Sequence, residues 1–262
     1  MRENELRRLL GGGGRGINGW VAIPDAFAVE QYAAQGFDSV TVDLQHGAAD
    51  VGSLIPLLQA IALGGATAMV RVPWTDPAYV MRVLDAGAYG VICPMVNDAA
   101  QARAFVQAGR YPPLGSRSAG PFRATHVAGA DYVSAANDHV LLLAMIETRE
   151  AFENLDAIMS VKGLDGVYVG PSDLALSLGK PSTLAPDDPE VLRTMAGIAE
   201  GARRHGLIAG VHVDGPATAL QRYEEGFHFC TLLNDVRLLV DAARRMVGEL
   251  RGAGPAETSK TY

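Results

Sequence analysis

Lysine is the scarcest charged residue in this chain: among 262 residues only Lys162, Lys180 and Lys260 carry it. None falls on a predicted strand, which argues against a buried amine poised to form a Schiff base with a carbonyl substrate. Cysteine is as thin, with Cys93 and Cys230 alone. Both lie in apolar runs without CxxC or metal-ligand spacing, so they read as buried thiols in a reducing compartment. No basic run occurs, and a net charge of −7 argues against a phosphate-backbone partner. The longest wholly apolar stretch, 140–146, is far short of the ~20 residues that span a bilayer. The first ten residues are charged and amphipathic, without the apolar segment of a signal peptide. Gly-x-Ser-x-Gly elbows and nucleotide-binding loops are also missing. The expectation is a cytoplasmic protein with no membrane or nucleic-acid partner and no nucleotide or organic cofactor.

What is present is a repeat. Short β-branched or apolar runs at 19–24, 39–46, 67–74, 90–96, 140–147, 166–173, 208–214 and 227–235 have strand character. Amphipathic helical patterns lie between or after them, at 27–35, 53–64, 77–87, 98–111, 149–161, 189–206, 216–226 and 236–251. Eight strand–helix units in about 250 residues are the arithmetic of a single-domain (β/α)8 TIM barrel. A doubly wound sheet would place a glycine fingerprint after its first strand, where this chain has Asp25-Ala26-Phe27. Residues 1–18 are expected to form a short helix and a flexible glycine-rich hinge, Gly11 to Gly14. The polar tail 252–262 is expected to fray or to pack on a partner subunit. The stretch 112–138 is the largest irregular connection, of a length that is usually functional.

In such a barrel the catalytic groups gather at the C-terminal strand ends. Strand two ends in Asp43-Leu44-Gln45-His46-Gly47, strand three carries Arg71, strand five ends at Glu147 and strand six at Asp173. Val70 and Val72 flank Arg71, so period two turns its guanidinium toward the barrel axis if the valines face the helices. A lone charge there requires an anion, either Asp43 or a substrate. Glu147 and Asp173 repel one another unless they share a proton or a cation. Either alone fits a helix cap; together, with no sulfur nearby, they suit a hard divalent ion such as Mg²⁺, Mn²⁺ or Co²⁺. His46 gains a case as general base if Asp43 orients its ring, which requires the chain to bend near Leu44. His212 lies inside strand seven, within reach of the pocket.

The segments VDLQHG at 42–47, MVRVPWTDP at 69–77, LDAGAYGVICPMV at 84–96, MIETREA at 145–151 and GVYVGPSDLALSLG at 166–179 resemble the HpcH/HpaI family. These are class II, metal-dependent hydroxyketoacid (pyruvate) aldolases, related to the citrate lyase β-chain group, and the likeness runs from about Gly19 to Cys230. The resemblance implies Glu147 and Asp173 as metal ligands and Arg71 as the group that binds the keto oxygen and stabilises an enolate. It implies His46, oriented by Asp43, as the base, and the backbone at Gly170 and Ser172 as the seat of the pyruvate carboxylate. It also implies a homo-oligomer, trimer or hexamer, with an exchanged C-terminal helix and Asp85 near a neighbour's site.

Substrate contacts are further expected from Trp20, from His212 and from Arg123, whose loop also holds Arg117; either arginine can pair with a distal carboxylate. Gln45, Met145 and His212 depart from the family pattern and put the aldehyde partner, not the reaction class, in doubt. The implied reaction is reversible cleavage of 4-hydroxy-2-oxoacids to pyruvate and an aldehyde. Competing readings are an oxaloacetate decarboxylase, a citryl- or malyl-type CoA-ester lyase and a non-catalytic binding barrel.

Overall fold

The computed structural model describes residues 1–252, so the tail 253–262, including Lys260, lies outside the described residues. Eight parallel strands close into one barrel in chain order. They are β1 (Gly16–Val21), β2 (Ser39–Asp43), β3 (Thr67–Arg71), β4 (Gly90–Cys93), β5 (Leu141–Ile146), β6 (Gly166–Val169), β7 (Ile208–Val213) and β8 (Phe229–Leu232). Closure is made by β1 against β8, with Asn18 paired to Thr231. All eight expected strands are present, and single-domain (β/α)8 architecture is the fold.

The helices are α1 (Glu5–Gly11), α2 (Ala26–Ala33), α3 (Leu54–Leu63), α4 (Pro77–Asp85), α5 (Ala99–Gly109), α6 (Phe122–Ala128) and α7 (Tyr132–His139). They continue with α8 (Arg149–Glu153), α9 (Leu155–Met159), α10 (Pro171–Ser177), α11 (Pro189–His205), α12 (Pro216–Glu224) and α13 (Asp235–Leu250). Side-chain caps fix many of the starts: Asp25, Asp76, Asp98, Thr148, Asp188 and Asn234 each accept a first-turn N–H. Four details differ from the sequence reading. The first strand begins at Gly16, three residues early. The expected helix 149–161 is broken at Asn154, whose amide donates to the Asn97 carbonyl instead of staying on a helix face. The irregular stretch 112–138 is largely helical, holding α6 and all but the last residue of α7. The glycines after α1 form a bonded turn, with Gly12 N–H to Arg8 O and Gly14 N–H to Leu9 O, where a hinge was expected.

Strand alternation produces two apolar layers. Val40, Val42, Val70, Val72, Val91, Val167, Val169 and Val211 point outward into the large core beneath the helices. Met69, Ile92, Leu143, Met145, Tyr168 and Phe229 point inward and fill the barrel, so the interior is packed and not a pore. Leu6 and Leu10 of α1 belong to this inner cluster and plug the barrel. A buried polar layer sits among them. Tyr168 Oη donates to Thr231 Oγ1 (2.6 Å), Asn18 Nδ2 to the same oxygen (2.9 Å), and Ser39 Oγ to Asn18 Oδ1 (2.7 Å). Every partner in that chain is satisfied by another, which is what makes such a layer tolerable inside a core.

Leu6 is 1% exposed, so Leu6→Ala should open a cavity under the barrel. We expect a loss of about 2–5 kcal/mol in urea unfolding; a loss under about 0.5 kcal/mol would show that α1 is not a structural plug.

Candidate active site

The C-terminal end of the barrel opens into a cleft of ≈ 270 Å³ lined by Trp20, Arg71, Met145, Glu147, Tyr168, Gly170, Pro171, Ser172, Asp173, Leu184 and His212. Seven of these were expected from the sequence. Asp43 lies directly beside them. Its carboxylate receives a two-pronged contact from Arg71, Nε to Oδ1 at 2.9 Å and Nη2 to Oδ2 at 2.6 Å, with both side chains buried. The inward turn of Arg71 is the one its flanking valines predict, since Val70 and Val72 pack in the outer core. Trp20 Nε1 also donates to Asp43 Oδ2 (3.2 Å), and the guanidinium carbon stands 4.8 Å from the Trp20 ring centre. Burial alone would raise the Asp43 carboxyl, but the Arg71 fork outweighs it, aided by the Gln45 N–H and the indole, and holds the group below its ordinary range.

The same carboxylate bends the chain. Asp43 Oδ1 accepts the backbone N–H of Gln45 (3.0 Å) and of His46 (3.3 Å), wrapping the segment after β2 around itself. This is the bend near Leu44 that His46 requires. A Cβ at Gly47 would collide with the Asp43 carbonyl oxygen, so the turn also requires glycine there. His46 emerges exposed at the rim. Asp43 positions it through the backbone, while the carboxylate itself is committed to Arg71 and Trp20.

Glu147 follows β5 directly and is 2% exposed. Its Oε1 accepts the Met95 N–H at 2.8 Å, and Met95 reaches that position with φ of 55°, a left-handed backbone uncommon for a side-chain-bearing residue. Burial, and secondarily the charge of Asp173, pushes the Glu147 carboxyl up to about 7 against the lowering by the Met95 N–H and Arg71. A side chain at Gly170 would meet the other oxygen, Oε2, so a glycine lets this carboxylate lie against the start of α10. Asp173 does not end a strand, contrary to the sequence reading. β6 stops at Val169, Pro171 opens α10, and Asp173 stands exposed in its first turn. The Ser172 hydroxyl, just before it, is buried without a hydrogen-bond partner.

His212 projects inward from β7, is 3% exposed and lies 5.1 Å from the Trp20 ring. Its Nε2 is 3.0 Å from the Leu233 carbonyl, which can only accept, so Nε2 carries the proton. Burial first, then the Arg71 charge, lowers its pKa to about 3, and the ring is neutral at physiological pH.

Two expected contacts fall elsewhere. Arg123 on α6 donates to the Ala86 carbonyl and faces a second cavity with Arg2, Thr67 and Tyr89. The connection 112–138 joins a helix to a strand, and such connections lie at the opposite rim from the strand ends, so Arg123 cannot line this chain's cleft. Arg117, from the same connection, pairs with Asp85 (2.7 Å) and Tyr132 (3.0 Å). Asp85 closes α4, which runs back from the cleft, and so also lies at the far rim. Tyr168 was not anticipated, and Met145 was noted only as a departure from the family pattern, although each precedes a named residue, Gly170 and Glu147, by two positions. Leu184 has no local sequence signal.

The raised Glu147 carboxyl has a sign that can be checked. Unfolded, the group loses its proton near 4.5; folded, it keeps it to about 7. Its favourable contribution is therefore complete below 4.5 and is lost as pH rises through about 7. With chelator present, Glu147→Gln should gain stability relative to the natural chain across that window, by roughly 3 kcal/mol at 1.36 kcal/mol per pKa unit. A flat difference between the two unfolding curves would contradict the assignment.

Comparison with known proteins places the chain in a family. The profile of the HpcH/HpaI aldolase/citrate lyase family matches residues 17–242. A hydroxypyruvate/pyruvate aldolase of Rhizorhabdus wittichii is 40% identical over 248 residues, covering 95% of this chain and 99% of that protein. A 4-hydroxy-2-oxo-heptane-1,7-dioate aldolase of Escherichia coli is 33% identical over 263 residues, covering 99% and 100%. The crystal structure of an HpcH/HpaI aldolase from Desulfitobacterium hafniense superposes with a TM-score of 0.88 at 29% identity, covering 96% of this chain and 99% of that one. The chain belongs to the HpcH/HpaI aldolase/citrate lyase family.

Proposed function

We propose that this chain is a divalent-metal-dependent aldolase that reversibly cleaves 4-hydroxy-2-oxoacids to pyruvate and an aldehyde by way of a pyruvate enolate. The observation that carries the reading is one cleft with two carboxylates, Glu147 and Asp173, beside a guanidinium held rigid by Asp43. Glu147 and Asp173 fit Mg²⁺, Mn²⁺ or Co²⁺. Among the described residues no cluster of three acidic, histidine or cysteine side chains surrounds them. Two carboxylates completed by water and a chelating oxoacid are an ordinary hard-cation arrangement. The burial and mutual repulsion that raise Glu147 are what a cation would relieve. Such an ion, when bound, supplies Lewis-acid stabilisation of the charge that develops on a keto oxygen.

The chain's own residues take the remaining roles. Arg71 binds the keto oxygen and stabilises the enolate, its plane fixed by Asp43 and Trp20. His46 is the general base toward the substrate hydroxyl, carried to the rim by the turn around Asp43. The Gly170 and Ser172 backbone, with the unpartnered Ser172 hydroxyl, seats the pyruvate carboxylate. His212, neutral and tied to Leu233, and Trp20 form the polar and aromatic wall that orients the rest of the substrate. The names of the relatives from R. wittichii and E. coli support the same bond cleavage.

A homo-oligomer, trimer or hexamer, with α13 exchanged between subunits completes the reading. α13 has no buried residue, and Leu239, Met246 and Leu250 are 62%, 68% and 91% exposed. An apolar helix face left in water is characteristic of a subunit contact. Asp85, paired with Arg117 at the rim away from its own cleft, then approaches a neighbour's. A cytoplasmic location is supported by two buried, unpaired thiols.

The activity is tested by a panel of 4-hydroxy-2-oxoacids, oxaloacetate and malyl-CoA, with and without chelator. Pyruvate release from the hydroxyoxoacids, abolished by chelation, is expected; no release of pyruvate or glyoxylate from any member would refute the proposal. Arg71→Ala should lose both aldol cleavage and exchange of the pyruvate methyl protons, and full exchange in that variant would remove Arg71 from the enolate step. By light scattering, the chain should run at three or six times its own mass, and Leu239→Glu with Met246→Glu should lower that number; a monomeric natural chain would contradict the exchange.

A further inference from the structure

Among the described residues, the connection between α10 and α11 carries the one apolar side chain that enters the cleft from outside the strands and their immediate ends. Leu184 sits in the segment 179–188, which has no helix or strand, yet it is only 3% exposed and lines the cleft with Arg71, Glu147, Asp173 and His212. The segment is a braced strap. Gly179 turns the chain out of α10 with φ of 76°, and Lys180 N–H returns to the Ala175 carbonyl at 2.8 Å. The Thr183 hydroxyl accepts the Ala185 N–H (3.1 Å), and Pro181 and Pro186 limit the backbone on either side. The two ends are clamped together: Lys180 Nζ lies 3.0 Å from Asp188 and 3.4 Å from Glu190, which Arg149 also reaches at 3.2 Å.

Leu184 packs into one wall of the cleft, so its side chain helps set the space beside Arg71, Glu147 and Asp173. A pyruvate and an aldehyde that share this cleft must lie against the Leu184 side chain. Lys180, Asp188 and Glu190 are each about one-third exposed, and ion pairs at that exposure are individually weak. A clamp of this kind holds the strap down without locking it.

We infer that the 179–188 strap is a lid and that Leu184 is the specificity-determining residue for the aldehyde, admitting short chains and rejecting long ones. The inference rests on the aldolase reading. The enolate carbon has two fates: it bonds to the aldehyde carbonyl carbon, whose oxygen then takes a proton, or it takes a proton from water and returns to pyruvate. A seated Leu184 excludes water and shapes the space where the aldehyde must lie, so it acts on both fates. In apolar pockets one methylene is worth about 10- to 200-fold in specificity.

The test is the ratio of kcat/KM for hexanal to kcat/KM for acetaldehyde, with pyruvate and Mn²⁺, in the full-length protein. Leu184→Ala is expected to raise that ratio about tenfold or more, and to raise methyl-proton exchange relative to aldol addition. Leu184→Met, which conserves volume, should leave the ratio within about twofold. Lys180→Ala, a surface change that loosens the clamp, should move it in the same direction as Leu184→Ala. A Leu184→Ala protein that condenses acetaldehyde with an unchanged ratio overturns the inference. If that variant does not fold, an unchanged ratio in Lys180→Ala overturns it. A natural chain that condenses pyruvate with no aldehyde overturns the aldolase reading and this inference together.

Discussion

The buried pair of Asp43 and Arg71 is the contact on which the rest of the site depends. A guanidinium inside a barrel is untenable without an anion, and removing one partner of such a pair typically costs about 3–5 kcal/mol because the other is left charged and buried. Asp43 does more than neutralise it. The two-pronged contact sets the plane of the guanidinium, and the same carboxylate gathers the Trp20 indole and the N–H groups of Gln45 and His46. One side chain on β2 thus fixes the group assigned to the enolate, the aromatic wall behind it and the turn that carries the assigned base. Of the two partners of Arg71 left open by the sequence, carboxylate or substrate, the carboxylate is present as Asp43, reached through Nε and Nη2.

Across the cleft the balance of charge is reversed. Glu147 is as deeply buried as Arg71, and its Oε1 accepts a backbone N–H delivered by a left-handed Met95. Its raised carboxyl, with Asp173 nearby, is what the proposed cation would relieve. The barrel thus separates two functions that would otherwise cancel. In the proposed reading the positive group is neutralised by Asp43 and kept for hydrogen bonding, while the carboxylates serve an ion.

Much of this was legible in the sequence because strand alternation is rigid. Arg71 between two valines, Glu147 at the end of LLLAMI, and His212 two positions from Gly210 all point where period two sends them. What failed was information carried by connections. Asp173 looked like a strand end, but Pro171 cannot donate to a ladder and starts a helix. Arg123 and Arg117 looked like substrate ligands because their loop is long. Loop length says nothing of which rim a loop occupies, whereas its place between a helix and a strand does, and that placed them at the far end. Leu184 had no signature at all: its burial arises from the path of an irregular strap, which no local pattern encodes.

The central claim is that Glu147 and Asp173 together hold a divalent ion beside the pyruvate bound at Arg71. Paramagnetic relaxation tests it most directly: Mn²⁺ bound in the cleft should sharply shorten the relaxation times of the pyruvate methyl protons in the intact protein. Glu147→Gln combined with Asp173→Asn should abolish the effect while the protein remains folded. Pyruvate protons that relax equally in the natural chain and the double variant, or that never respond to Mn²⁺, would contradict the account.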